Sequence, residues 1–355
     1  MTTDLKRGVR MRLRAAAALF LGVLMILPAP AGAVPKGAKV QTYQGGLNFP
    51  IDMAWVKGTK KIFFTEKSGK IRVMVGRKLL KRPCISLGVS SSGERGLLGI
   101  TLHPNYKKNH FLYAFFTDSS PLQNRVNRYK VKKNRCSHNK TIVDGIDASS
   151  SGYHNGGQID FMKGKLFIST GEAHNAGAAQ STDNRLGKIL RVNDDGSIPA
   201  ANPFNNAVWS YGHRNPFGLA HRPGTDLLYE TENGPSCDDE LNLIRKGRNY
   251  GWGSNYSCGT RGVGPNPKGP IRRYTNIIVP TDLTWYEGRL DAFDNNLLMG
   301  DFNGNLRRFK MKKNGTRVKT EQIVYTTDGI TDVSKGPGGW PYFMTSSGIF
   351  RIVKR

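Results

Sequence analysis

Six segments of this chain share one pattern, in which a short apolar strand, a polar turn and a second apolar strand follow one another. They begin at Ile51, Leu97, Gln158, Phe217, Thr281 and Thr331. The starts lie roughly 46 to 64 residues apart, close to the length of a four-stranded propeller blade. Repeats of this kind bury their apolar faces against neighbouring repeats. The repetition therefore predicts an all-β fold, a six-bladed β-propeller of four-stranded antiparallel blades.

The composition of the repeats favours strands over helices. They are rich in Val, Ile, Phe, Tyr and Leu, and long stretches with a helical period are missing after the N-terminus. Length alone suggests about two domains, but large β folds commonly exceed that expectation. Because no linker, charge block or low-complexity tract interrupts residues 40–355, we expect one propeller domain over this range.

The first 33 residues have a different character. A basic stretch, LKRGVRMRLR, precedes the 13-residue apolar segment AAAALFLGVLMIL, and PAPAGA ends in small residues. This order is typical of a secretory signal peptide, with cleavage expected after Ala33. A membrane anchor is the alternative, but the apolar segment is shorter than the ~20 residues needed to span a bilayer. We expect an exported protein, secreted or in the periplasm or cell wall, that does not span the membrane once processed.

Four cysteines fit an oxidising compartment. None belongs to a Cys-x-x-Cys pair and no His-Glu-x-x-His motif is present, so zinc or thiol chemistry has little support. One connectivity joins Cys237 to Cys258 across the loop after the ENGPSCDDE turn and leaves Cys84 with Cys136. The other two connectivities stay open, because sequence does not determine which cysteines pair.

The chain is strongly basic, with 53 Lys and Arg against 26 Asp and Glu. Removing residues 1–33 takes away five basic side chains and one acidic one, so about +23 of the formal charge of +27 remains. Such a charge attracts anionic polymers or membrane surfaces. Nucleic acid is not the expected partner, because the basic residues are scattered over predicted turns and no nucleic-acid module is recognisable. We favour a solubilising surface or an anionic cell-envelope environment.

Three residues near strand ends have the chemistry of a catalytic site. His154, in SGYHNGGQIDF, precedes two glycines that let a ligand approach the backbone, and a histidine there can act as a general base. Arg214 offers five donors in a planar fork that suits a carboxylate or another polarised oxygen, and Asn215 adds an amide. The structural alternatives are a hydrogen-bonded histidine and an arginine that braces neighbouring blades.

An acidic turn follows the apolar run LLYET in the fourth repeat. Asp238, Asp239 and Glu240 concentrate negative charge in a chain that is otherwise basic. Carboxylates combined with the backbone carbonyls of a turn are hard oxygen ligands of the kind that calcium prefers. The turn therefore predicts a calcium site, with a solvated acidic turn as the alternative.

Several motifs, taken in order, resemble one known family. They are GERGLLGITLHPNY, YHNGGQI, LGKILRVNDDG, GHRNPFGLA, ENGPSCDDELNLI and NYGWG. Together they are similar to the glucose/sorbosone dehydrogenase family, the soluble quinoprotein aldose dehydrogenases, from Gly46 to Val353. The resemblance implies a six-bladed propeller whose axial cleft holds pyrroloquinoline quinone (PQQ) on a calcium ion. Related propellers similar to hedgehog-interacting protein keep much of the pattern, so the motifs are more specific for fold than for activity.

The resemblance implies roles for residues around the cofactor. By this likeness His154 takes the proton from the C1 hydroxyl of a sugar while hydride passes to the quinone. Arg214 and Asn215 would contact the quinone oxygens, and Arg214 would stabilise negative charge as it develops. The backbone carbonyls of Gly234 and Pro235 would hold the calcium that polarises the quinone.

Further positions match the family outside that central group. Asn233 and Glu94 match positions that contact the cofactor. Glu240 and Tyr250 match positions associated with a second, structural calcium. Tyr153, directly before the implied base, stands where an aspartate is common in the family. If the likeness holds, these residues lie close to His154 and Arg214 although the sequence separates them widely.

Part of the family pattern is missing. Gly329 and Thr331 stand where an Arg-x-Arg-Asp motif grips the cofactor carboxylates, and Asn303 stands where a lysine is expected. Each lost hydrogen bond to a charged group costs about 1.5 to 3 kcal/mol of binding free energy. Arg307 or Arg308, or the general positive charge, is the expected compensation.

Two functions from different classes follow. The first is a calcium- and PQQ-dependent dehydrogenase that oxidises the C1 hydroxyl of aldoses to lactones, with an electron acceptor that the sequence does not identify. The alternative is a non-catalytic calcium-binding propeller that binds glycans or anionic envelope polymers. A calcium-dependent hydrolase such as a sugar lactonase is a third possibility, because it shares the propeller architecture.

Overall fold

The computed structural model describes residues 34–355; the predicted signal peptide, residues 1–33, lies outside the described residues. Strands dominate this part of the chain and form six antiparallel sheets arranged as the blades of a propeller. The predicted all-β, six-bladed architecture is therefore confirmed. No helix in residues 34–355 is long and apolar enough to cross a membrane.

The first three blades are built from strands that are consecutive in the chain. Blade 1 contains β2 (Pro50–Trp55), β3 (Lys61–Glu66), β4 (Lys70–Val75), β5 (Lys78–Leu79) and β6 (Ile85–Ser86). Blade 2 contains β7 (Leu97–Leu102), β8 (Phe111–Ser119), β9 (Leu122–Lys132) and β10 (Arg135–Asp147). Blade 3 contains β11 (Gly156–Met162), β12 (Lys165–Thr170), β13 (Lys188–Val192) and β14 (Val208–Tyr211).

The other three blades complete the ring, and three short helical segments lie between strands. Blade 4 contains β15 (Pro216–His221), β16 (Leu228–Glu232), β17 (Asp239–Ile244) and β18 (Arg272–Tyr274). Blade 5 contains β19 (Pro280–Tyr286), β20 (Asn296–Asp301), β21 (Asn305–Met311) and β22 (Val318–Thr326). Blade 6 contains β23 (Ile330–Lys335), β24 (Pro341–Thr345), β25 (Gly348–Lys354) and β1 (Ala38–Gly45). The helical segments are α1 (Tyr106–Asn109), α2 (Ala176–Gln180) and a 3₁₀ turn (Pro337–Gly339).

Blade 6 closes the ring by combining both ends of the described chain. Its outermost strand, β1, pairs antiparallel with β25, so that Ala38 lies opposite Lys354. The six repeats of the sequence did not include β1, which precedes the first of them. This pairing hydrogen-bonds the beginning of the propeller to its end and leaves no first or last blade to separate.

The first strand of every blade faces the propeller axis, and each packs against the first strands of the two neighbouring blades. These strands begin within two residues of the six starts predicted from the repeats. We call the end of the ring where the first strands begin the top, and the other end the bottom. The connections that enter each blade therefore meet at the top around the axis.

Apolar side chains fill the space between neighbouring blades. Tyr113 and Phe115 of β8, for example, pack in one buried cluster with Ile168 of β12 and Leu190 of β13. Each of these side chains is fully buried. Because the two faces of a blade each pack on a neighbour, the central strands carry continuous apolar runs.

Every first strand contains a bulge, an irregularity in its pairing that occurs at the same place in all six blades. The residues at this position are Asp52, Gly99, Gln158, Gly218, Asp282 and Asp332. Asp52 accepts hydrogen bonds from the backbone N–H groups of Met53, 2.7 Å away, and Ile100 of the next blade, 2.7 Å away. Asp332 likewise accepts from the backbone N–H of Met53 at 3.0 Å, so the bulge carboxylates tie blade 6 to blade 1 and blade 1 to blade 2 near the axis.

The three aspartates of this axial ring form a buried acidic group. Burial raises the pKa of Asp52 and Asp332 well above the ordinary value and raises that of Asp282 to about 6. Neighbouring carboxylate charge adds to the shift for Asp52 and Asp332. A hydrogen bond joins Asp282 and Asp332, which requires a proton between them. We therefore assign these aspartates a structural role.

Two disulfides reinforce the ring. Cys84 and Cys136 join blade 1 to β10 of blade 2, and Cys237 and Cys258 join the turn before β17 to the loop after it. This is one of the three connectivities that the sequence left open.

Candidate functional site

Three connections at the top of the ring meet at one carboxylate. Glu94, which precedes blade 2, accepts hydrogen bonds at Oε2 from the backbone N–H of His154, 2.8 Å away, and from the side-chain amide of Asn215, 3.0 Å away. The side-chain oxygen of Asn215, Oδ1, in turn accepts a hydrogen bond from the backbone N–H of Gly156 at 3.1 Å. The structure thus brings together residues from the entries of blades 2, 3 and 4, as the predicted cofactor site requires.

His154 is held rigidly at the edge of the resulting cleft. Its backbone is left-handed, with φ +57°, and its carbonyl lies so close to Gly171 that a Cβ there would be 2.1 Å from the oxygen. The imidazole Nδ1 forms a short hydrogen bond with Oε1 of Glu172. Because a carboxylate only accepts, Nδ1 carries the proton and Nε2 is the basic nitrogen.

A second histidine, His174, stacks on the first. The two rings lie 4.1 Å apart and are nearly parallel, and the edge of Tyr153 approaches the outer ring. Burial, followed by the charge of His154, lowers the pKa of His174. Sequence reasoning missed both Glu172 and His174. A polar pair in GEAH, directly after an apolar strand at the same height as His154, is the signal that marks them.

Arg214 lies across the cleft, and the turn after β16 holds its side chain. Its Nη1 donates to the carbonyls of Asn233 at 2.9 Å and Gly234 at 2.7 Å. Glu232 Oε1 accepts from the backbone N–H groups of Arg214 and Asn215, at 2.7 and 2.6 Å. The guanidinium carbon lies 5.3 Å from the centre of the Trp252 ring. Burial lowers the pKa of Arg214, and its Nε has no hydrogen-bond partner among the described residues.

The three acidic residues of the turn, Asp238, Asp239 and Glu240, have different surroundings. Both oxygens of Asp239 accept backbone N–H groups, from Gly234 at 2.8 Å and from Ile278 and Val279 at 2.7 and 2.8 Å. Its carboxylate braces the turn and has no oxygen aimed away from those partners. Asp239 therefore serves the shape of the turn, and the predicted calcium site rests on its neighbours. Asp238 and Glu240 do face a cavity.

That cavity, of about 20 Å³, is the size of one water molecule or ion. All four residues predicted as metal ligands line it, namely Gly234, Pro235, Glu240 and Tyr250. The Tyr250 hydroxyl is engaged elsewhere, because it donates to the carbonyl of Leu243 at 2.7 Å. Only the backbone of this tyrosine is therefore available to a cation.

Carboxylates crowd the chain beside the cavity. The Asn242 amide donates to Glu230 at 3.1 Å and to Glu240 at 3.2 Å, while Oε1 of Glu230 and Oδ1 of Asn242 are buried without a hydrogen-bond partner among residues 34–355. Burial and the Glu232 charge raise the pKa of Glu230 well above its ordinary value, and the pKa of Glu240 to about 8. Two cations are close by: Arg273 lies 3.6 Å from Glu240, and Arg214 lines the cavity. Orphaned buried oxygens of this chemistry fit a hard cation such as calcium.

The wall formed by blades 5 and 6 has no cation at the positions where the family pattern places them, and the exposed Asp328 directly precedes Gly329. Phe302 and Asn303 are exposed there, and the Thr331 hydroxyl donates to the Pro50 carbonyl at 2.9 Å. A Cβ on Gly329 would lie 2.8 Å from the carbonyl oxygen of Phe302, so this backbone admits no side chain without shifting. The backbone around Gly329 is therefore shaped for a residue without a side chain, which agrees with the absence of an arginine at this position.

Arg307 and Arg308 do not supply the missing charge. Arg307 is buried and pairs with Asp301 and Glu321, each 2.8 Å away. Arg308 donates to the Ala292 carbonyl and to Gln322. Both arginines are committed to blade 5, so the prediction that either compensates at the cleft is wrong.

Comparisons with known proteins agree with the geometry. A family model described as glucose/sorbosone dehydrogenase matches residues 47–354. The aldose sugar dehydrogenase YliI of Escherichia coli is 28% identical over 94% of this chain and 97% of its own length. The PQQ-bound aldose sugar dehydrogenase of Streptomyces coelicolor superposes with a TM-score of 0.78 and 28% identity, over 90% of this chain and 99% of that one. An uncharacterised Synechocystis protein is 31% identical over 84% of this chain and 82% of its own. The match to nearly the whole propeller shows that this chain belongs to the glucose/sorbosone dehydrogenase family.

Proposed function

We propose that this protein is an aldose dehydrogenase that oxidises the C1 hydroxyl of a sugar to the lactone with calcium-bound PQQ. The observation that carries the proposal is the convergence of two groups on one cleft. One is the His154–Glu172 pair, which has the geometry of a general base. The other is Arg214 with Asn215, which presents cationic and amide donors across from it. PQQ-dependent relatives with the same fold support the same chemistry.

The residues fit the quinone part of the cofactor better than its carboxylates. On the blade 4 side of the cleft, Arg214 and Asn215 supply hydrogen-bond donors, and the carbonyls near Asn233 supply ligands for a cation. The Nε of Arg214 has no protein partner among the described residues and is a further donor for the quinone. Bound there, PQQ would supply the hydride acceptor. The wall with Phe302 and Gly329 adds no cation at the family's positions. We therefore expect binding to depend on Arg214 and calcium.

The chain's own residues handle the proton and the charge. His154 accepts the proton of the C1 hydroxyl at Nε2, and Glu172, bonded to Nδ1, stabilises the imidazolium that forms. Arg214 stabilises negative charge that develops on the opposite side of the cleft. Glu94 fixes the positions of His154 and Asn215 relative to each other, because its Oε2 accepts hydrogen bonds from the His154 backbone and the Asn215 side chain.

Calcium binding accounts for the carboxylates around the small cavity. Gly234, Pro235, Glu240 and the backbone of Tyr250 surround the space, and Glu230 places an unpaired oxygen beside it. A cation would favour the ionised forms of carboxylates that burial otherwise disfavours. Addition of calcium to metal-stripped protein should therefore raise the melting temperature, and Glu240→Gln should abolish the rise. An equal rise in that variant would place calcium elsewhere.

Export completes the proposal. The N-terminal segment has the order of a signal peptide, and both disulfides are of the kind that persists in oxidising compartments. A secreted or periplasmic sugar dehydrogenase would reach its sugar outside the cytoplasm and pass electrons to a separate acceptor. Fractionation of cells that express the full chain, with and without residues 1–33, tests this location.

The decisive experiment titrates metal-stripped protein with PQQ in calcium and then adds a panel of aldoses. Saturable binding followed by sugar-dependent bleaching of the cofactor is the expected result. Arg214→Ala should abolish binding, whereas His154→Ala should bind PQQ but fail to bleach it. Absence of binding at tens of micromolar PQQ, together with retained calcium-dependent stability, would instead support the non-catalytic propeller.

A further inference from the structure

The positive charge of the chain is concentrated in two of the six blades. Residues 53–143, which form blade 1 after Asp52 and most of blade 2, carry 20 Lys and Arg against three Asp and Glu. Residues 144–355 carry 26 against 21. A uniformly solubilising surface would spread its charge over all blades. The observed distribution instead gives blades 1 and 2 the largest excess of positive charge.

The three acidic residues in this cationic region leave its lysines uncompensated. Glu66 pairs with Arg72 at 3.0 Å, and Asp118 pairs with Arg125 at 3.3 Å. Glu94 is engaged at the cleft, as described above. The field of the remaining basic side chains therefore extends into solvent, limited only by salt.

A groove between blades 1 and 2 gathers part of this charge at the bottom of the ring. It has a volume of about 560 Å³ and receives side chains from the turn after β2, from α1 and from the turn after β9. Its lysines, none of which forms an ion pair within the described residues, are Lys60, Lys61, Lys107, Lys132 and Lys133. Three separate connections thus place five cations around one concave surface, which we call the lysine groove.

The floor of the lysine groove is mainly aliphatic. Val56, Val75 and Val131 line it, and Val75 is 43% exposed. Two rings also line the groove: Tyr106 packs against Phe63 with 6.1 Å between ring centres, and the exposed His110 lies edge-on to Tyr106 at 5.7 Å. Single-stranded nucleic acids bind by stacking successive bases on several aromatic rings as well as through charge, whereas His110 is the one exposed ring among the described residues that line this groove. Lysines act as point charges that suit phosphate without demanding a fixed geometry.

We propose that the lysine groove binds a linear polyol-phosphate polymer, with the phosphates on the lysines and the aliphatic spacers on the valine floor. The proposal does not depend on the dehydrogenase activity. The cleft with His154 opens at the top, whereas the groove lies at the bottom edge. A polymer held there therefore leaves the cleft accessible to sugars and fixes the protein to an anionic envelope.

The test compares two triple variants that remove the same charge. Lys107→Glu/Lys132→Glu/Lys133→Glu alters the groove, and Lys312→Glu/Lys313→Glu/Lys319→Glu alters an exposed basic stretch of blade 5. Binding of fluorescent poly(glycerol phosphate) is measured at low and physiological salt. The groove variant should lose about tenfold or more in affinity and the control variant less than about threefold, because local charge counts more than net charge across a Debye length. Equal losses in both variants would overturn the groove.

Further probes test the identity of the ligand. Inorganic polyphosphate, single-stranded DNA and phosphatidylglycerol vesicles are titrated under the same conditions. Tighter binding of any of them, with the same dependence on the groove lysines, would overturn the assignment to a polyol phosphate. Circular dichroism melts check that both variants fold, and Lys→Gln versions of the same triples replace any that does not. Weaker binding of the groove Lys→Gln variant than of its blade 5 counterpart would again support the groove.

Discussion

The cleft at the top of the ring and the aspartates deeper on its axis are both rich in buried carboxylates, yet they use them differently. At the top, Glu94, Glu172 and Glu232 each bind a histidine, an amide or the backbone next to Arg214. Deeper down, Asp282 and Asp332 bind backbone N–H groups and each other, and no arginine, lysine or histidine contributes to their hydrogen bonds. The first arrangement positions side chains around the cleft, whereas the second shares a hydrogen bond between carboxyl groups that line a cavity on the axis.

This contrast teaches how one architecture supports chemistry and stability in separate places. The same six strands carry both sets of residues, and a shift of a few residues along a strand changes the role. Entry loops can be varied without disturbing the bulges, because bulge side chains hold the blades together from below. The predictions that follow alter one set at a time, and the largest effects belong to the cleft.

His154→Ala should give the largest loss. Removal of the base should lower the rate of sugar-dependent PQQ reduction by about 10²- to 10⁴-fold while PQQ still binds. Stopped-flow bleaching of the cofactor measures the rate, and an absorbance titration measures binding. His138→Ala, on the exposed strand β10, is the matched control and should leave both unchanged. A variant that keeps most of its rate would assign the base elsewhere.

Glu172→Gln should have a smaller effect on the same rate. The amide keeps the shape of the side chain but stabilises the imidazolium less, so we expect a loss of about 10- to 100-fold. The loss should fall on kcat more than on KM, because Glu172 touches the base and not the sugar. A change in KM alone would indicate a role in sugar binding.

The axial ring predicts a pH effect on stability without one on catalysis. Because burial raises the folded-state pKa of these aspartates, their contribution is fully present below an unfolded pKa near 4 and is lost as pH rises through the folded values, about 6 for Asp282. Asp332→Asn retains a donor for Asp282 and an acceptor for the Met53 N–H. It should raise the free energy of unfolding at pH 7 by about 1 to 2 kcal/mol.

Urea denaturation between pH 4.5 and 7.5 checks the prediction for the ring. The wild-type protein should lose stability over this interval more steeply than Asp332→Asn, and the remaining slope should come from Asp52 and Asp282. The rate at pH 7 should stay unchanged. Parallel curves for the two proteins would show that the ring is not the source of the pH dependence.

His174→Phe should have the smallest effect. Phenylalanine keeps the stacked ring but removes a second imidazole, and two stacked imidazoles resist being charged together. The rate at pH 7.5 should change less than about threefold, while the acidic limb of the pH–rate profile moves by less than about one pH unit. An unchanged profile would limit His174 to packing, and a large loss of rate would give it a direct role.

Much of the fold could be predicted from the chain because each blade is a local unit. The six predicted starts fall within two residues of the first strands, since the alternation of apolar strand and polar turn is complete within each repeat. The pairing of Cys237 with Cys258 was only one of three that the sequence left open, because connectivity depends on contacts between different connections. The closing strand β1 was not predicted, because its partner β25 lies at the other end of the chain.

The candidate site was predictable only in part. His154, Arg214 and Asn215 stand in conspicuous motifs, and the structure brings them to one cleft. Glu172 and His174 escaped notice, because neither belongs to a pattern until ring closure places it against the base.

The sequence by itself determined the number of blades, their order and the residue types available for chemistry. These follow from short-range alternation and from the chemistry of each side chain, which need no knowledge of distant contacts. Only the tertiary structure decided which carboxylates line the small cavity with Glu240 and which form hydrogen bonds to each other on the axis. It also decided that Arg307 is neutralised by Asp301 and Glu321, and that the lysines of blades 1 and 2 surround one groove. The physical reason is that pairing and burial depend on distances across the ring, which residues far apart in the chain set together.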